Sequence, residues 1–238
     1  IPDQKSPAAE HSHDPHGAVP TVVAELKRRF GQDLIVMTDV CLCAYTDHGH
    51  CGVVRDGEIL NDESVAILAE MAHARAGADV VAPSDMMDGR VGAIRVRLDE
   101  EGFQNTAILS YAIKHNGAYY GPFRDAADSS PKFGDRRSYQ MDPRNAREGL
   151  KDALLDVEEG ADILMVKPGL HGLDLIWRLK EACLLPICSY HVSSEYSSVK
   201  AGDRLGWLNG DQLMYEQLIS LRRLCVWVAC ERVGASSY

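Results

Sequence analysis

Two stretches of the chain repeat one local pattern, and this repeat limits the possible folds more than any other feature. Gly77 to Pro83 reads Gly-Ala-Asp-Val-Val-Ala-Pro, and Gly160 to Pro168 reads Gly-Ala-Asp-Ile-Leu-Met-Val-Lys-Pro. In each stretch, a glycine that can end a helix precedes a short apolar run typical of a strand buried on both faces. A helix followed by a buried strand, repeated along one chain, predicts an α/β fold with a parallel sheet.

The alternation of helix and strand continues on both sides of the repeat. Strands are predicted at 34–40, 79–83, 106–111, 162–166 and 185–190, and helices at 22–30, 62–76, 91–101, 144–159, 173–182 and from 200 to about 223. Polar residues follow nearly every strand. A barrel brings the carboxyl ends of all its strands to one pocket, whereas an open sheet gathers only those beside its switch point. The pattern therefore favours a TIM (β/α)8-type barrel over a doubly wound sheet.

Composition limits the domain organisation and the partners. A chain of 238 residues that is 45% hydrophobic suits one domain, so residues 1–238 are predicted to form a single catalytic domain. Residues 1–20, rich in Pro, His, Asp and Ser, are predicted to be loop. The net charge of −10 argues against a nucleic-acid partner, and no apolar run is long enough to predict a membrane span. Seven cysteines, three of them clustered, indicate a reducing compartment, and we expect a cytoplasmic protein.

The three clustered cysteines form the strongest local signal. Cys41, Cys43 and Cys51 lie within eleven residues that follow a predicted strand. Thiolates favour zinc, and three protein ligands leave a fourth position for water or substrate, which is a catalytic arrangement. The alternative interpretation is a coincidental cluster of cysteines. His50, beside Cys51, is equally consistent with a residue that supports the metal site and with an exposed loop residue.

Two lysines are associated with the ends of predicted strands. Lys167 ends an apolar strand, and Lys114 follows another. Burial and a second nearby ammonium both disfavour the charged form of an amine, and a neutral amine can form a Schiff base with a ketone or aldehyde. Taken singly, each lysine is as well explained by a side chain that reaches from a strand end to solvent.

A long polar segment, residues 119–143, is predicted to be an active-site lid, because loops of this length in compact domains are often functional. Its arginines can clamp carboxylates through paired hydrogen bonds, although exposed Arg–Asp pairs within the loop are the simpler explanation. Asp85, in the segment after the strand 79–83, is equally suited to proton transfer and to capping the following helix.

Four long motifs together resemble the porphobilinogen synthase (5-aminolevulinate dehydratase) family. They are Asp-Val-Cys-Leu-Cys with His-Gly-His-Cys-Gly, Ala-Pro-Ser-Asp-Met-Met-Asp-Gly-Arg, Tyr-Gly-Pro-Phe-Arg-Asp-Ala-Ala and Met-Val-Lys-Pro. The cysteines match the zinc-dependent branch, since the magnesium-type branch carries aspartates at these places. The resemblance implies a TIM barrel that condenses two molecules of 5-aminolevulinate to porphobilinogen with loss of two waters, in tetrapyrrole (heme) biosynthesis.

The resemblance also implies a role for each matching residue. Lys167 matches the lysine that holds the first substrate, Lys114 matches the lysine that engages the second, and both form Schiff bases. Cys41, Cys43 and Cys51 match the ligands of a catalytic Zn²⁺ that polarises the second substrate. The predicted substrate-binding residues are Asp39, Ser84, Tyr120, Phe123, Arg124, Arg136, Gln140, Tyr190 and Ser193. Among them, Arg124, Arg136 and Gln140 match residues that grip the second carboxylate, and Ser193 matches one that binds the first. An additional Mg²⁺ at an allosteric site of unassigned residues is a further expectation.

The two ends of the chain depart from the family pattern. Ile1-Pro2 matches the end of the family's second strand, so the arm and the first strand have no counterpart, and the sequence from Arg222 is atypical where the last strand should lie. We therefore expect an incomplete barrel, in which Val226 to Val228 replace the last strand or another chain covers the seam. The resemblance also implies a homo-oligomer, but the family assembles through its arm, so a homo-oligomer is less strongly implied for the present chain.

Two other functions fit parts of the sequence. The first is a non-catalytic relative that serves as a zinc-binding or oligomer-modulating chain, which the departures at the two ends favour. The second is a Schiff-base lyase like a class I aldolase. That chemistry needs only one lysine and no thiolate-bound metal, so the cysteine cluster counts against it.

Overall fold

The computed structural model describes residues 2, 4–74, 77–224 and 226–230, and its centre is a six-stranded parallel sheet. The strands in chain order are β1 (Met37–Val40), β2 (Val53–Arg55), β3 (Glu58–Leu60), β4 (Val80–Pro83), β5 (Ala107–Lys114), β6 (Ile163–Lys167), β7 (Ile187–His191) and β8 (Trp227–Cys230). The sheet order is β1-β4-β5-β6-β7-β8, whereas β2 and β3 form a separate antiparallel hairpin. The six strands of the main sheet lie side by side in the same order in which they occur along the chain, and the sheet curls into part of a barrel. The predicted α/β fold of TIM-barrel type is confirmed.

Eight α-helices alternate with the strands in the described residues. They are α1 (Ala18–Phe30), α2 (Asn61–Ala74), α3 (Arg90–Glu100), α4 (Gly121–Ala126), α5 (Ala146–Glu158), α6 (Leu173–Ala182), α7 (Ser193–Arg204) and α8 (Gly210–Arg223). Local side chains define several of their ends. Asn145 and Asn209 precede α5 and α8 and accept backbone N–H bonds from Glu148 and Gln212, as N-capping residues do. None of the described helices is both long enough and apolar enough to span a bilayer.

The sheet buries different side chains on its two faces. The convex face packs against the helices and forms the larger core, whose fully buried members include Leu68, Ile94, Ile108, Leu164 and Ile176. The concave face carries a smaller cluster, formed by Val80, Ala82, Leu109, Tyr111, Ile163, Met165 and Cys188. Successive residues of a strand alternate between the faces, so the concave cluster contains every second residue of its strands. Polar residues that continue this alternation at the carboxyl ends of the strands therefore point into the concave side of the sheet.

The register between β5 and β6 changes once along the strands. Ser110 pairs with Leu164, but farther along Ile113 pairs with Val166, so β5 contains one extra residue between these pairs. Ala112 and Ile113 are consecutive, yet both belong to the convex core. This β-bulge reverses the alternation in the rest of β5 and gives Lys114 the sheet partner Lys167.

Both outer strands leave part of their concave faces in solvent. Met37 of β1 is 49% exposed and Trp227 of β8 is 59% exposed, although each occupies an inward position in register with buried neighbours. Within the described residues, β1 and β8 each have a sheet neighbour on one side only. Two alternatives were expected for the last strand: replacement by Val226 to Val228, or cover by another chain. The segment after Val226 does form a strand, β8, beside β7, in agreement with the first.

Some predicted elements differ from the structure. Residues 1–20, predicted as loop, include a 3-10 helix (Glu10–His13) and the first turn of α1. The single helix predicted from 200 is two helices, because the chain turns at Gly206 with φ +72° between them. The β2–β3 hairpin was not predicted, although Asp56 and Gly57, both with positive φ, make the two-residue turn that Asp-Gly favours. Residues 75 and 76 of the predicted helix 62–76, Cys225, and the chain beyond 230 lie outside the described residues.

Candidate active site

A cavity of about 130 Å³ opens at the carboxyl ends of the strands. Its lining residues come from four strands, from the position after β4, from the cysteine loop (residues 41–52) and from the 119–143 segment: Asp39, Cys41, Cys43, Ser84, Tyr111, Lys114, Tyr120, Phe123, Arg136, Lys167 and Tyr190. Residues far apart in sequence therefore converge on one pocket, as the barrel prediction required.

The two lysines are neighbours inside this cavity. Lys114 and Lys167 are register partners on β5 and β6, and both side chains are almost completely buried. Their Nζ atoms lie 5.7 and 5.3 Å from the centre of the same ring, that of Tyr111. The β5 bulge is the cause of this pairing, because without it Lys114 would point to the convex face.

The surroundings of the two amines are different. Aromatic rings enclose Lys167, whose Nζ lies 3.8 Å from the ring centre of Tyr190, 5.4 Å from that of Phe123 and 5.8 Å from that of Tyr120. The Nζ of Lys114 instead donates a hydrogen bond to the backbone carbonyl of Ser84. Both environments exclude water from the amine.

The three clustered cysteines converge as their spacing predicted. The Sγ atoms of Cys41, Cys43 and Cys51 all lie within 4.8 Å of one another, and those of Cys41 and Cys43 are 3.4 Å apart. Tetrahedral zinc with Zn–S bonds of about 2.3 Å requires sulfur atoms about 3.8 Å apart. All three thiols are buried, and a short 3-10 helix (Leu42–Ala44) turns Cys43 back toward Cys41. The donor set and its spacing therefore fit a zinc ion.

Hydrogen bonds among the three thiols give them different pKa values. Hydrogen bonds from Cys41 and Cys43 hold the pKa of Cys51 well below its usual range, and the positive charge of Arg136 acts in the same direction. The hydrogen bond with Cys43 raises the pKa of Cys41 well above that range. Burial disfavours an isolated thiolate, and a cation bound among the three sulfurs would stabilise it.

Arg136 belongs to the 119–143 segment and connects it to the cysteine loop. Its guanidinium donates hydrogen bonds to the backbone carbonyls of Gly49, at 2.9 Å, and Ser129, at 2.7 Å. Burial alone would lower its pKa, but the negative charge of Cys51 and Cys43 outweighs burial and raises it. Arg136 lines the cavity as predicted, and part of its hydrogen-bonding capacity is used by the backbone.

Three predicted substrate-binding residues are not among those that line the cavity. Arg124 is half-buried, with its guanidinium 5.6 Å from the ring centre of Tyr120, and burial followed by the charge of Arg136 lowers its pKa. Gln140 is buried, and its Oε1 has no hydrogen-bond partner among the described residues. Ser193 is buried at the first position of α7. The structure brings the other predicted residues together around the cavity, and all the assigned roles remain predictions.

One residue of the site was missed in the sequence, and one of the two roles left open for Asp85 is excluded. Tyr111 is near both lysines, and its position two residues after Leu109 on the same strand face was the available signal. Asp85 does not cap α3, because Gly89 is the residue before that helix; its Oδ1 accepts a hydrogen bond from Met87 N at 2.7 Å. Complete burial raises the pKa of Asp85 to about 6.

Comparisons with known proteins agree with this geometry. The sequence profile of the family described as "Delta-aminolevulinic acid dehydratase" matches residues 1–226. The chain is 56% identical to the delta-aminolevulinic acid dehydratase of Methanothermobacter thermautotrophicus, over 94% of this chain and 68% of the relative. It is 51% identical to that of Bacillus subtilis, over 94% of this chain and 69% of the relative.

A solved structure gives the same result for the fold. The crystal structure of delta-aminolevulinic acid dehydratase (porphobilinogen synthase) from Toxoplasma gondii, in complex with the reaction product porphobilinogen, superposes with a TM-score of 0.93 at 46% sequence identity. The match covers 96% of this chain and 66% of that chain. The present chain thus spans about two thirds of the length of the proteins it matches.

Proposed function

We propose, from the premise that the chain belongs to the delta-aminolevulinic acid dehydratase family, that it condenses two molecules of 5-aminolevulinate to porphobilinogen with loss of two waters. Family membership confirms the resemblance seen in the sequence. Because the chain spans about two thirds of its relatives, the activity of the whole protein is proposed for it by inference from the site. The proposal places the chain in tetrapyrrole biosynthesis.

One observation carries the proposal: two buried lysines lie side by side in one cavity beside three thiols. A reaction that joins two keto acids needs two activated carbonyl carbons near each other, and neighbouring strands place Lys114 and Lys167 in that relation. A Schiff-base lyase of the aldolase type would use only one of these amines. The paired amines therefore favour a condensation of two ketones.

The chemistry of the two amines balances. A neutral Nζ attacks the ketone carbon of one substrate, and loss of water leaves a carbon–nitrogen double bond; one water leaves for each lysine. Lys167 holds the first substrate, whose carboxylate becomes the propionate side, and Lys114 holds the second. One carbon–carbon and one carbon–nitrogen bond then form between the substrates as both bonds to the lysines break. Protons lost from substrate carbons and from the amine that enters the ring pass to the two lysine nitrogens, which are released as free amines.

The residues that would hold zinc are Cys41, Cys43 and Cys51, whose spacing and burial suit it. Zinc supplies a Lewis acid that polarises an oxygen of the second substrate. Asp39 lines the same cavity from β1, where its carboxylate can orient the substrate amine or accept a proton.

We assign the second carboxylate to Arg136, Arg124 and Gln140. Arg136 lines the cavity, and the Nε atoms of Arg136 and Arg124 are both buried without a hydrogen-bond partner among the described residues. A buried donor without a partner binds an incoming carboxylate with little competition. Ser193 remains the residue predicted to bind the first carboxylate. The additional Mg²⁺ and the homo-oligomer also remain predictions.

The direct test is a chromogenic assay for the pyrrole product, with borohydride trapping of the bound substrate. We expect Lys167→Ala to lower turnover at least about 1,000-fold and to abolish trapping of the first substrate, because that Schiff base no longer forms. Cys41→Ala should lower zinc content and turnover but leave trapping possible. Lys180→Ala, which removes an exposed lysine from α6, is the matched control and should behave as the unaltered protein.

Two results would contradict this proposal. Trapping that survives Lys167→Ala would disprove the role of that lysine. Absence of turnover at saturating substrate, in protein that contains zinc, would instead support the non-catalytic zinc-binding alternative.

A further inference from the structure

The cysteine loop and the 119–143 segment are joined by five hydrogen bonds within four residues of the loop. The N–H of Lys132 donates to His48 O at 3.0 Å, and the guanidinium of Arg136 donates to Gly49 O at 2.9 Å. His50 makes two bonds, to Phe133 O at 3.1 Å and to the Tyr139 hydroxyl at 3.1 Å, and Cys51 N contacts the same hydroxyl at 3.4 Å. These residues form the "loop–segment junction".

Hydrogen-bonding rules fix the direction of the bonds at the centre of the junction. Phe133 O is only an acceptor, so the Nε2 of His50 carries a proton and donates it. In the neutral imidazole, Nδ1 is then an acceptor and receives the O–H of Tyr139. The Tyr139 oxygen in turn accepts the N–H of Cys51. Each donor in this chain of bonds thus faces an acceptor, and the chain ends at the backbone N–H of Cys51, a cysteine of the metal site.

Burial makes this arrangement difficult to replace with water. His50 is almost fully buried, and its ring lies 4.6 Å from that of Phe133. The hydroxyl of Tyr139 is enclosed in the same way, between the Nδ1 of His50 and the N–H of Cys51. His50 therefore supports the site, which was one of the two interpretations that the sequence left open.

The backbones also approach each other closely at Gly49. A Cβ atom built on Gly49 would lie 2.5 Å from Ser130 O, and the φ of Gly49 is +76°. Only glycine permits both the close approach and this backbone conformation. The junction is therefore a specific fit between two segments that are more than 75 residues apart in sequence.

We propose that Tyr139 is a positioning residue for the metal site, through which metal binding at the three cysteines and closure of the 119–143 segment are coupled. The inference rests on the proposed function, because it takes zinc as the metal held by those cysteines. A closed segment holds the backbone of Cys51 in the orientation in which its Sγ meets the other two thiols. Coupling between two binding events is reciprocal, so zinc that fixes Cys51 also stabilises the closed segment.

The coupling has a functional consequence for the cavity. Tyr120, Phe123 and Arg136 belong to the 119–143 segment and form part of the cavity wall. Loss of zinc would therefore loosen the enclosure of Lys167 by aromatic rings as well as remove a Lewis acid. An enzyme with this design excludes water from its amines only when the metal is bound.

The test compares Tyr139→Phe with Tyr119→Phe, a matched change at the other end of the segment. The ring of Tyr119 packs against His171 at 4.7 Å, in the loop after β6. Zinc affinity is measured by competition with a chelator, and segment closure by the rate of tryptic cleavage within residues 119–143. We expect Tyr139→Phe to weaken zinc binding about 10-fold, as losses of residues that orient metal ligands do, and to reduce the protection that zinc gives against trypsin. Tyr119→Phe should change neither quantity by more than about twofold.

Several outcomes separate this inference from the proposed function. Normal zinc affinity in a folded Tyr139→Phe variant, or equal tryptic rates with and without zinc in the unaltered protein, would overturn the coupling and leave the proposed reaction intact. Absence of zinc binding by the unaltered protein would overturn the metal site itself and the coupling with it. Circular dichroism checks folding; if the variant unfolds, hydrogen exchange of the Lys132 amide in the unaltered protein decides, since zinc should slow it.

Discussion

Charged groups at the two ends of the parallel strands differ in how completely they are paired. At the amino ends, carboxylates are paired: Asp79 bonds Lys27 at 2.6 Å and the N–H of Val36 at 2.7 Å, and Asp162 accepts the N–H of Ile108 at 2.8 Å. At the carboxyl ends, two amines and the thiols of Cys41 and Cys43 line one cavity. The carboxyl of Asp85 is buried next to the lining residue Ser84, and its Oδ2 has no hydrogen-bond partner among the described residues. The amino ends are arranged for stability, and the carboxyl ends sacrifice stability for chemistry.

Two carboxyl groups at opposite ends of β4 show the difference most directly. The bonds to Lys27 and then to Val36 N lower the pKa of Asp79. Burial raises the pKa of Asp85 to about 6, even though Arg90 lies 3.7 Å away. The ionised form is thus favoured at one end of the strand and disfavoured at the other. Substitutions at the two ends should have effects of different size and, for these carboxyls, of different sign.

The largest difference is expected between two glycines with positive φ. Gly49→Ala, at the carboxyl ends, should lower the free energy of unfolding by about 3 to 4 kcal/mol, because the new Cβ meets backbone oxygen in addition to the cost of the left-handed conformation. Gly102→Ala, at the amino end of β5, has a φ of +85° but open space around it and should lose only about 1 to 2 kcal/mol. Urea denaturation measures both, and equal losses would contradict the close approach at Gly49.

A smaller effect is expected for Asp85→Asn, and it should be stabilising at neutral pH. A raised carboxyl pKa means that the folded state binds a proton more tightly, so the unfolding free energy falls as the pH rises from about 4 to about 6. The shift corresponds to about 2 to 3 kcal/mol. The asparagine variant keeps the acceptor for Met87 N, should lack this fall and should exceed the unaltered protein in stability at pH 7. If the asparagine variant is instead less stable at pH 7, the buried guanidinium of Arg90 requires the negative charge of Asp85.

The smallest effect is expected for Asp79→Asn, with the opposite sign. The lowered pKa of Asp79 contributes stability above about pH 4, and this contribution is lost as the pH falls. Because the pair with Lys27 is partly exposed, the variant should lose only about 0.5 to 1 kcal/mol at pH 7. Denaturation at pH 7 and pH 3 checks this, and a loss that persists undiminished at pH 3 would assign the effect to the hydrogen bonds instead of the charge.

The sequence predicted the repeating units because local signals define them. Gly77 and Gly160 both precede a buried strand, as expected, and Gly160 has a φ of +102°. The convergence of Lys167 and the cysteine loop also followed from sequence, since the carboxyl ends of barrel strands meet. These inferences need only the local pattern and the general geometry of the fold.

Other features depend on contacts that no local pattern reveals. Arg136 was predicted as a ligand for carboxylate, but its bond to Gly49 O arises from the packing of two distant segments. Lys114 was predicted to follow a strand, and it instead ends β5, because the strand runs three residues beyond the predicted end at 111. The exposure of Met37 and Trp227 reflects which strands lie beside them, which is a property of the whole sheet.

The chemistry depends on a shift of register within β5. If β5 kept the register of Ser110 with Leu164 to its end, the sequence would be unchanged, yet the amine of Lys114 would be directed toward α5 and away from its counterpart on β6. Sequence similarity does not reveal this difference, because the residues are the same in both arrangements. Transfer of this pair of amines to another barrel therefore requires that the irregularity be copied along with the lysines.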